Sequence, residues 1–212
     1  MTTIFSSLDP KFDKLPENAI VELEVMPFLK ASKAILPVID MLGTPFRTLR
    51  NDMDGNITKL TRKYELDPAL NATFYSMLKA EIASKTTRCK DSAAIALLWL
   101  KRALEFQIMF LQQIVDDHKA GVHTDNLHGF CVHAYDATLR PYHTWIVQKL
   151  FPVISHMMPW RSSFLKTLAF DKDNMEDEVI SQMDTFLVTL SANVNVIKEM
   201  YRDLDLDFQD KV

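Results

Sequence analysis

The order of apolar and polar positions along the 212-residue chain indicates an all-α protein. Apolar residues follow the helical period, and the two-residue alternation of β-strands is hard to find. Prolines, glycines and capping residues divide the chain into a series of predicted helices. Their expected ranges are Val21 or Met26 to Met41, Phe46–Tyr64, Ala69–Ser84, Ser92–Asp117, Leu127–His156, Arg161–Phe170 and Met175–Arg202.

Four residues refine these boundaries. Pro37 predicts a kink in the first helix, and Asp67 is a suitable N-cap for the third. Pro141 and Pro152 predict that the fifth helix is bent or broken.

Composition favours one domain with a large core. Hydrophobic residues make up 48% of the chain, with 13 Phe and 11 Met but only 4 Gly. No internal repeat or linker is apparent, so we expect a single domain over residues 1–212. Residues 1–20 are expected to form an irregular segment on the surface, and residues 203–212 an extended tail.

The fourth predicted helix is the most apolar part of the chain. Apolar residues cover it nearly all round, which predicts a helix buried in a larger core. Lys101, Arg102 and Glu105 at its centre argue against a membrane span. The longest uncharged stretch, Thr185–Ile197, has 13 residues, fewer than the ~20 that a span needs. Because no signal-peptide pattern opens the chain, we expect a soluble, cytoplasmic protein.

Charge and motifs exclude several functions. The net charge of −4 gives no general attraction to nucleic acid. No hydrolase, zinc-protease or P-loop motif occurs, and Asp52 and Asp54 diverge on a helix, so we predict no enzyme activity. Cys89 and Cys131 are expected to be free thiols. Histidines recur every five residues without sharing a helix face, so we predict no metal or other cofactor; they are His118, His123, His128 and His133.

A polar group on the second predicted helix is the first candidate site. Asp52, Asn56 and Lys59 are spaced four and three residues apart and therefore point the same way. Gly55 is unfavourable in a helix interior, which suggests a close approach to the backbone there. The group fits either a solvated polar face or a site for a hydroxyl-rich ligand.

Aromatic residues supply further candidates, each with a plain structural alternative. Trp99 fits the core, or a flat platform for a sugar ring. His143 fits a hydrogen-bonded core position, or a single donor for a carbonyl in an apolar pocket. Trp145 and Trp160 stand near Lys and Arg, a mixture found both in half-buried helices and at membrane interfaces.

Three separated motifs, in the same order, resemble the glycolipid transfer protein family. They are Asp52 with Asn56 and Lys59, the stretch Leu98–Arg102, and the stretch Tyr142–Lys149; the likeness extends from about Met26 to Val212. The resemblance implies about eight helices in two layers enclosing a lipid, no enzyme activity, and transfer of glycosphingolipids between membranes. It implies a mostly monomeric protein that contacts membranes transiently and does not bind nucleic acid.

The resemblance also implies roles for single residues. Asp52, Asn56 and Lys59 would hydrogen-bond the first sugar, and Trp99 would stack on it. Asp52 would also accept from the ceramide amide, whose carbonyl His143 would bind. The implied apolar lining is Ile39, Leu42, Ile95, Leu139, Phe151, Phe164, Phe186 and Val212. The implied membrane-docking residues are Trp145, Ile146 and Trp160.

Other functions stay open beside this one. Relatives that carry ceramide-1-phosphate have an Arg where Trp99 stands, so the aromatic ring favours a neutral sugar. A lipid sensor or adaptor, or a plain helical scaffold, are further alternatives. The chain departs from the family at Asp210, where a Tyr is expected, and at Pro37–Asp40, where a receptor-binding Phe pair is missing.

Overall fold

The structure, a computed structural model, describes residues 2–211 and confirms the all-α class. Eight of the α-helices in this range have eight or more residues, in agreement with the expected number. The α-helices are α1 (Ile4–Ser7), α2 (Ala19–Glu22), α3 (Val25–Ala34), α4 (Leu36–Asp40), α5 (Arg47–Leu66), α6 (Phe74–Ser84), α7 (Ala93–Lys119), α8 (His128–Thr138), α9 (Trp145–Ser155), α10 (Arg161–Leu168) and α11 (Glu176–Asp203). Two 3₁₀ turns, Thr44–Phe46 and Arg140–Tyr142, precede α5 and follow α8.

The helices form a two-layer sandwich in which α7 is the most buried element. It packs against α5, α8 and α11, and most of its side chains are buried, as its apolar sequence predicts. Its first turn is capped by the carboxylate of Glu81, which accepts from the backbone N–H groups of Ala93 (2.8 Å) and Ala94 (3.0 Å). Lys63 neutralises this buried carboxylate at 3.1 Å. The cap therefore fixes where α7 begins, six residues before Trp99.

The predicted start of the third helix is wrong. The helix α6 begins at Phe74, where Thr73 accepts from the backbone N–H of Ser76, and not after Asp67. The residues before it pair with another segment: Val25 N–H donates to Ala72, and Phe74 N–H donates to Leu23. This pairing, together with turns at residues 68–71, takes the place of the first part of the helix that was expected there.

The predicted helix over Leu127–His156 is broken at Pro141, as expected. Pro141 lies in the 3₁₀ turn, and the backbone of His143 and Thr144 is extended before α9 begins. Pro152, by contrast, lies inside α9 without ending it. The break matters because it orients α9 separately from α8.

The first residues differ from the surface-lying segment that was expected. The helices α1 and the start of α2 interrupt the irregular backbone of residues 2–20. Ile4, Phe5, Leu8 and Phe12 are buried in the main core, since their apolar side chains complete its packing.

Within residues 2–211, no helix combines the length and the apolarity that crossing a membrane requires. Both cysteines are free, as predicted. Cys89 is exposed, whereas burial raises the pKa of the Cys131 thiol to about 12.

Candidate functional site

A cavity of about 510 Å³ lies between α5, α7 and the segment from the end of α8 to α9. Its polar lining consists of Thr48, Asp52, Asn56, Lys59 and His143. Its apolar lining consists of Pro45, Phe46, Leu49, Ile95, Trp99, Ala103, Leu139, Val147, Phe151 and Ile154. The structure thus brings together all five predicted headgroup residues, which the sequence separates by up to 91 positions.

A larger groove, of about 670 Å³, lies elsewhere on the molecule. Its walls are formed by the N-terminal segment, α3 and the start of α6, and they mix acidic, basic and apolar side chains. None of the predicted site residues lines it. We assign the site to the smaller cavity, because a mostly apolar wall with a few converging polar groups is the usual form of a small-molecule site.

The polar stripe on α5 has the geometry that its spacing predicts. Nδ2 of Asn56 donates to the carboxylate of Asp52 at 3.2 Å, one helical turn away. Asp54 points elsewhere and pairs with Arg50 at 3.0 Å, so the two aspartates diverge. No other part of the protein makes the close backbone approach that Gly55 suggests, since a Cβ at this exposed position would meet no other atom within 4 Å.

The electrostatics of this stripe are nearly balanced. The Asp52 side chain is open to the cavity mouth, but partial burial still raises the pKa of its carboxyl, an effect that the charge of Lys59 opposes. These are the two charged groups among the cavity-lining residues, and they have opposite signs.

Trp99 forms the opposite wall and is only half-buried, with its ring on the cavity. Arg102 stands behind it, with its guanidinium 5.1 Å from the centre of the indole and 3.3 Å from the centre of the Tyr142 ring. The same guanidinium donates to the Phe208 carbonyl and pairs with Asp207. Trp99 therefore rests on a buried cation, and its half-buried side chain lines the cavity where a ligand can reach it.

His143 completes the polar lining. Its ring is nearly parallel to that of Trp99, with an angle of 9° between the planes and 5.9 Å between the centroids. Burial, and then the nearby positive charge of Arg102, lower the pKa of this imidazole. Neutral His143 carries one N–H donor and one lone-pair nitrogen.

The predicted apolar lining divides into two groups. Ile95, Leu139 and Phe151 lie on the cavity wall. Four others are buried in the packed interior and do not reach it; they are Ile39, Leu42, Phe164 and Phe186. Val212 lies outside the described residues.

A run of aromatic rings connects the cavity with the interior. Phe106 meets Phe151 edge-on, with 6.2 Å between the centroids, and stacks on Phe110 at 6.4 Å. Phe110 in turn contacts Phe164, with 6.3 Å between the centroids. Phe186 belongs to a different cluster of aromatic rings within the same core, with 5.4 Å between its centroid and that of Phe5. Phe164 is therefore linked to the cavity through a series of ring contacts, whereas Phe186 is not part of that series.

Sequence reasoning missed several lining residues that helical spacing could have identified. Ala103 follows Ile95 and Trp99 at intervals of four, and on α9 Val147 and Ile154 stand four residues before and three residues after the predicted Phe151. Pro45, Phe46 and Thr48 are in the turn before α5 and in its first residues, and periodicity gave no signal for them.

The predicted docking residues lie on an exposed apolar surface. Trp145 is 69% exposed, Ile146 63% and Trp160 58%. Further exposed residues of α9 and the turn after it extend this surface; they are Leu150, Val153 and Met157. The helix is thus apolar toward the cavity and toward solvent as well, which is unusual in a surface helix.

The four histidines that were expected to lie apart do not all do so. His118 and His123 do come together, with 4.9 Å between their ring centroids, because the chain turns back after α7. Glu176 lies beside both, but the buried guanidinium of Arg161 donates to it at 2.7 Å and lies 3.0 Å from Nδ1 of His118. An arginine therefore already neutralises this cluster, which joins α7, α10 and α11.

Asp210 does not lie on the cavity. It pairs with Arg88 at 2.7 Å on the surface, where both side chains are exposed. The departure from the family at position 210 therefore lies away from the cavity.

Comparison with known proteins gives consistent matches. The family model of glycolipid transfer protein (GLTP) matches residues 23–170. The glycolipid transfer protein of Danio rerio is 34% identical over 207 residues, which are 97% of this chain and 98% of that protein.

Solved structures agree in fold. The structure that describes how FAPP2 selects simple glycosphingolipids using the GLTP fold has a TM-score of 0.87 at 26% identity, with both chains fully covered. Human ceramide-1-phosphate transfer protein in complex with its lipid has a TM-score of 0.81 at 19% identity, covering 98% of this chain and 96% of that one.

Proposed function

The chain belongs to the glycolipid transfer protein family, and on this premise we propose that it extracts glycosphingolipids from one membrane and delivers them to another. Members of this family are lipid transfer proteins and not enzymes. The observation that carries the proposal is the cavity of about 510 Å³, in which the polar stripe of α5, the half-buried indole of Trp99 and the neutral imidazole of His143 meet an apolar wall.

The polar end of the cavity suits the first sugar of a headgroup. Asp52, Asn56 and Lys59 provide acceptors and donors on one helix face, and sugar hydroxyls can serve both. The C–H groups of the sugar would pack on the indole of Trp99. A lipid without a sugar would leave these groups unpaired, at a cost of about 1–3 kcal/mol for each buried group.

The ceramide amide would lie deeper, between the two walls. Asp52 would accept from its N–H, and His143 would donate to its carbonyl. Because the His143 ring is neutral, it makes this bond without placing an unpaired positive charge in an apolar cavity.

The charges favour a neutral sugar over a phosphate. The opposite charges of Asp52 and Lys59 cancel. The other wall carries no charge at positions 99 and 103, where the side chains are the indole of Trp99 and the methyl group of Ala103. The guanidinium of Arg102 is buried, does not line the cavity, and contacts Asp207, Phe208 and Tyr142, so it is not placed to bind an anion there. Transfer of ceramide-1-phosphate is therefore the less favoured alternative.

The lipid chains need more room than the cavity offers. We propose that they separate the rings along the run from Phe151 to Phe164. The buried residues Ile39, Leu42, Phe164 and Phe186, together with Val212, would then line the enlarged pocket. Each methylene removed from water contributes about 0.8 kcal/mol, which would offset this rearrangement.

The exposed apolar surface of α9 would dock on the membrane. Trp145, Ile146 and Trp160 would insert at the interface, and Leu150 and Val153 would extend the contact. Since α9 also contributes Val147 and Phe151 to the cavity wall, docking would occur next to the site of lipid entry. We expect a cytoplasmic protein that is mostly monomeric and does not bind nucleic acid.

A vesicle-to-vesicle assay tests the function. Fluorescent glucosylceramide, ceramide-1-phosphate and ceramide would be compared as cargo, and we expect rapid transfer of glucosylceramide alone. Faster transfer of ceramide-1-phosphate would overturn the headgroup assignment. Stable binding without transfer would favour the sensor or adaptor, and the absence of any co-purified lipid in native mass spectra would favour a scaffold.

A further inference from the structure

Tyr135 lies behind the histidine of the cavity. Its hydroxyl oxygen is 3.1 Å from Nδ1 of His143. The tyrosine is only 2% exposed, and the ring of Phe151 stacks on it with 3.6 Å between the centroids and 6° between the planes. The phenol is therefore held in place, and water does not compete for its contact with the imidazole.

The protonation of both groups follows from their surroundings. Burial raises the pKa of Tyr135 to about 12, so the phenol keeps its proton at neutral pH. Burial and Arg102 lower the pKa of His143, so its ring carries a single N–H. That hydrogen is either on Nδ1, facing the phenol oxygen, or on Nε2, leaving a lone pair on Nδ1 to accept from the phenol.

The second arrangement makes the better hydrogen bond. A phenol is a stronger donor than it is an acceptor, and the lone-pair nitrogen of neutral imidazole is a good acceptor. The hydrogen bond that one ring nitrogen makes determines which tautomer the ring adopts. We propose that Tyr135 is a positioning residue that fixes His143 as the Nε2–H tautomer, so that the ring presents a donor to the cavity.

The proposal rests on the proposed function only for the use of that donor, which is to bind the carbonyl of a ceramide amide. With the other tautomer, the ring would present a lone pair to the carbonyl oxygen, and the two acceptors would repel. The tyrosine would thus decide whether the cavity accepts an amide carbonyl.

The backbone at His143 is held independently of this bond. Nε2 of Gln148 donates to the carbonyl of His143 at 2.9 Å and to that of Arg140 at 3.0 Å. The parallel contact with Trp99 restrains the ring as well. Removing the hydroxyl of Tyr135 should therefore change which nitrogen of His143 carries the hydrogen, while the ring stays close to its position.

Nitrogen NMR of the lipid-free protein tests the tautomer directly. In long-range ¹H–¹⁵N spectra of the wild type, assigned by comparison with His143→Gln, we expect Nδ1 at the downfield position of an unprotonated nitrogen. Tyr135→Phe keeps the stacking surface for Phe151 and should shift His143 toward a mixture of tautomers. It should also lower glucosylceramide transfer about fivefold, the effect of losing one hydrogen bond.

Tyr142→Phe is the matched control, because it removes a hydroxyl from the neighbouring ring that contacts Arg102. We expect it to leave the His143 nitrogen shifts unchanged. An Nδ1–H tautomer in the wild type would overturn the proposal without any variant. An unchanged His143 spectrum, or unchanged transfer, in Tyr135→Phe would overturn the positioning role. If the tautomer is as proposed but the wild type moves no glycolipid, the proposed function fails and the tautomer assignment stands.

Discussion

The indole of Trp99 and the imidazole of His143 lie parallel on the wall of one cavity, with their centroids 5.9 Å apart. The two residues come from α7 and from the extended backbone before α9. A flat aromatic surface and an imidazole are thereby placed beside each other, the arrangement that the proposed recognition of a sugar joined to an amide would use.

Trp99→Ala should reduce glucosylceramide transfer by at least about tenfold, since it removes the stacking surface and exposes the cavity wall. Trp99→Phe keeps an aromatic face and should retain part of the activity. Transfer would be measured between vesicles, and circular dichroism would establish that the helix content of both variants is unchanged. Normal transfer by Trp99→Ala would refute the sugar-platform role.

Asp52→Asn should affect function and stability in opposite directions. Loss of the charged acceptor should lower transfer about tenfold or more. Because burial raises the pKa of Asp52 above its usual 3.8, ionisation costs the folded state, and stability falls as pH rises through the raised value. The variant should therefore exceed the wild type in stability at pH 7, and the difference should shrink toward pH 4. Urea unfolding at several pH values measures this, and a difference that grows on acidification would contradict it.

His143 should make the protein less stable in mild acid. Its pKa is lowered in the folded state, so protonation favours unfolding once the pH falls below the ordinary value of 6.5. The destabilisation caused by protonating His143 is absent well above pH 6.5 and grows as the pH falls toward the lowered pKa. In His143→Gln, the part of the acid-induced loss of stability between pH 7.5 and pH 5 that is due to this residue should disappear. An identical pH profile in the two proteins would show that His143 is not the group responsible.

Replacing both Trp145 and Trp160 with Ala should weaken partitioning onto phosphatidylcholine vesicles, since two large exposed apolar side chains are lost. Val188→Ala is a matched control, because this residue of α11 is 68% exposed but lies apart from α9. Sedimentation with vesicles provides the measurement. Unchanged partitioning of the double variant would place the docking surface elsewhere.

Gly55→Ala should stabilise the protein by about 1 kcal/mol, because an added methyl group meets no other atom and alanine is the better helix former. Gly121→Ala is the opposite case. Its backbone has a φ of +71°, which alanine adopts only with strain, so this variant should be less stable than the wild type. Chemical unfolding compares the two, and a destabilised Gly55→Ala protein would mean that the backbone there has a partner.

The helix boundaries could be predicted where residues close in sequence determine them. Ser92 caps α7 through its side chain, and the apolar run that follows matches the observed helix closely. Pro141 interrupts the predicted helix over Leu127–His156, as expected. The start of α6 could not be predicted in this way, because the pairing of Leu23 and Val25 with residues near position 73 is a long-range contact that overrides the local signal at Asp67.

The sequence by itself determined the helical class and the angular relation of residues within one helix. Asp52, Asn56 and Lys59 share a face because helical geometry requires it, whatever surrounds them. Only the tertiary structure decided that this face meets Trp99 and His143 across a cavity, that Tyr135 lies behind the imidazole, and that Phe186 belongs to another cluster. These relations depend on how separate helices pack, and packing is the sum of many weak contacts between distant parts of the chain.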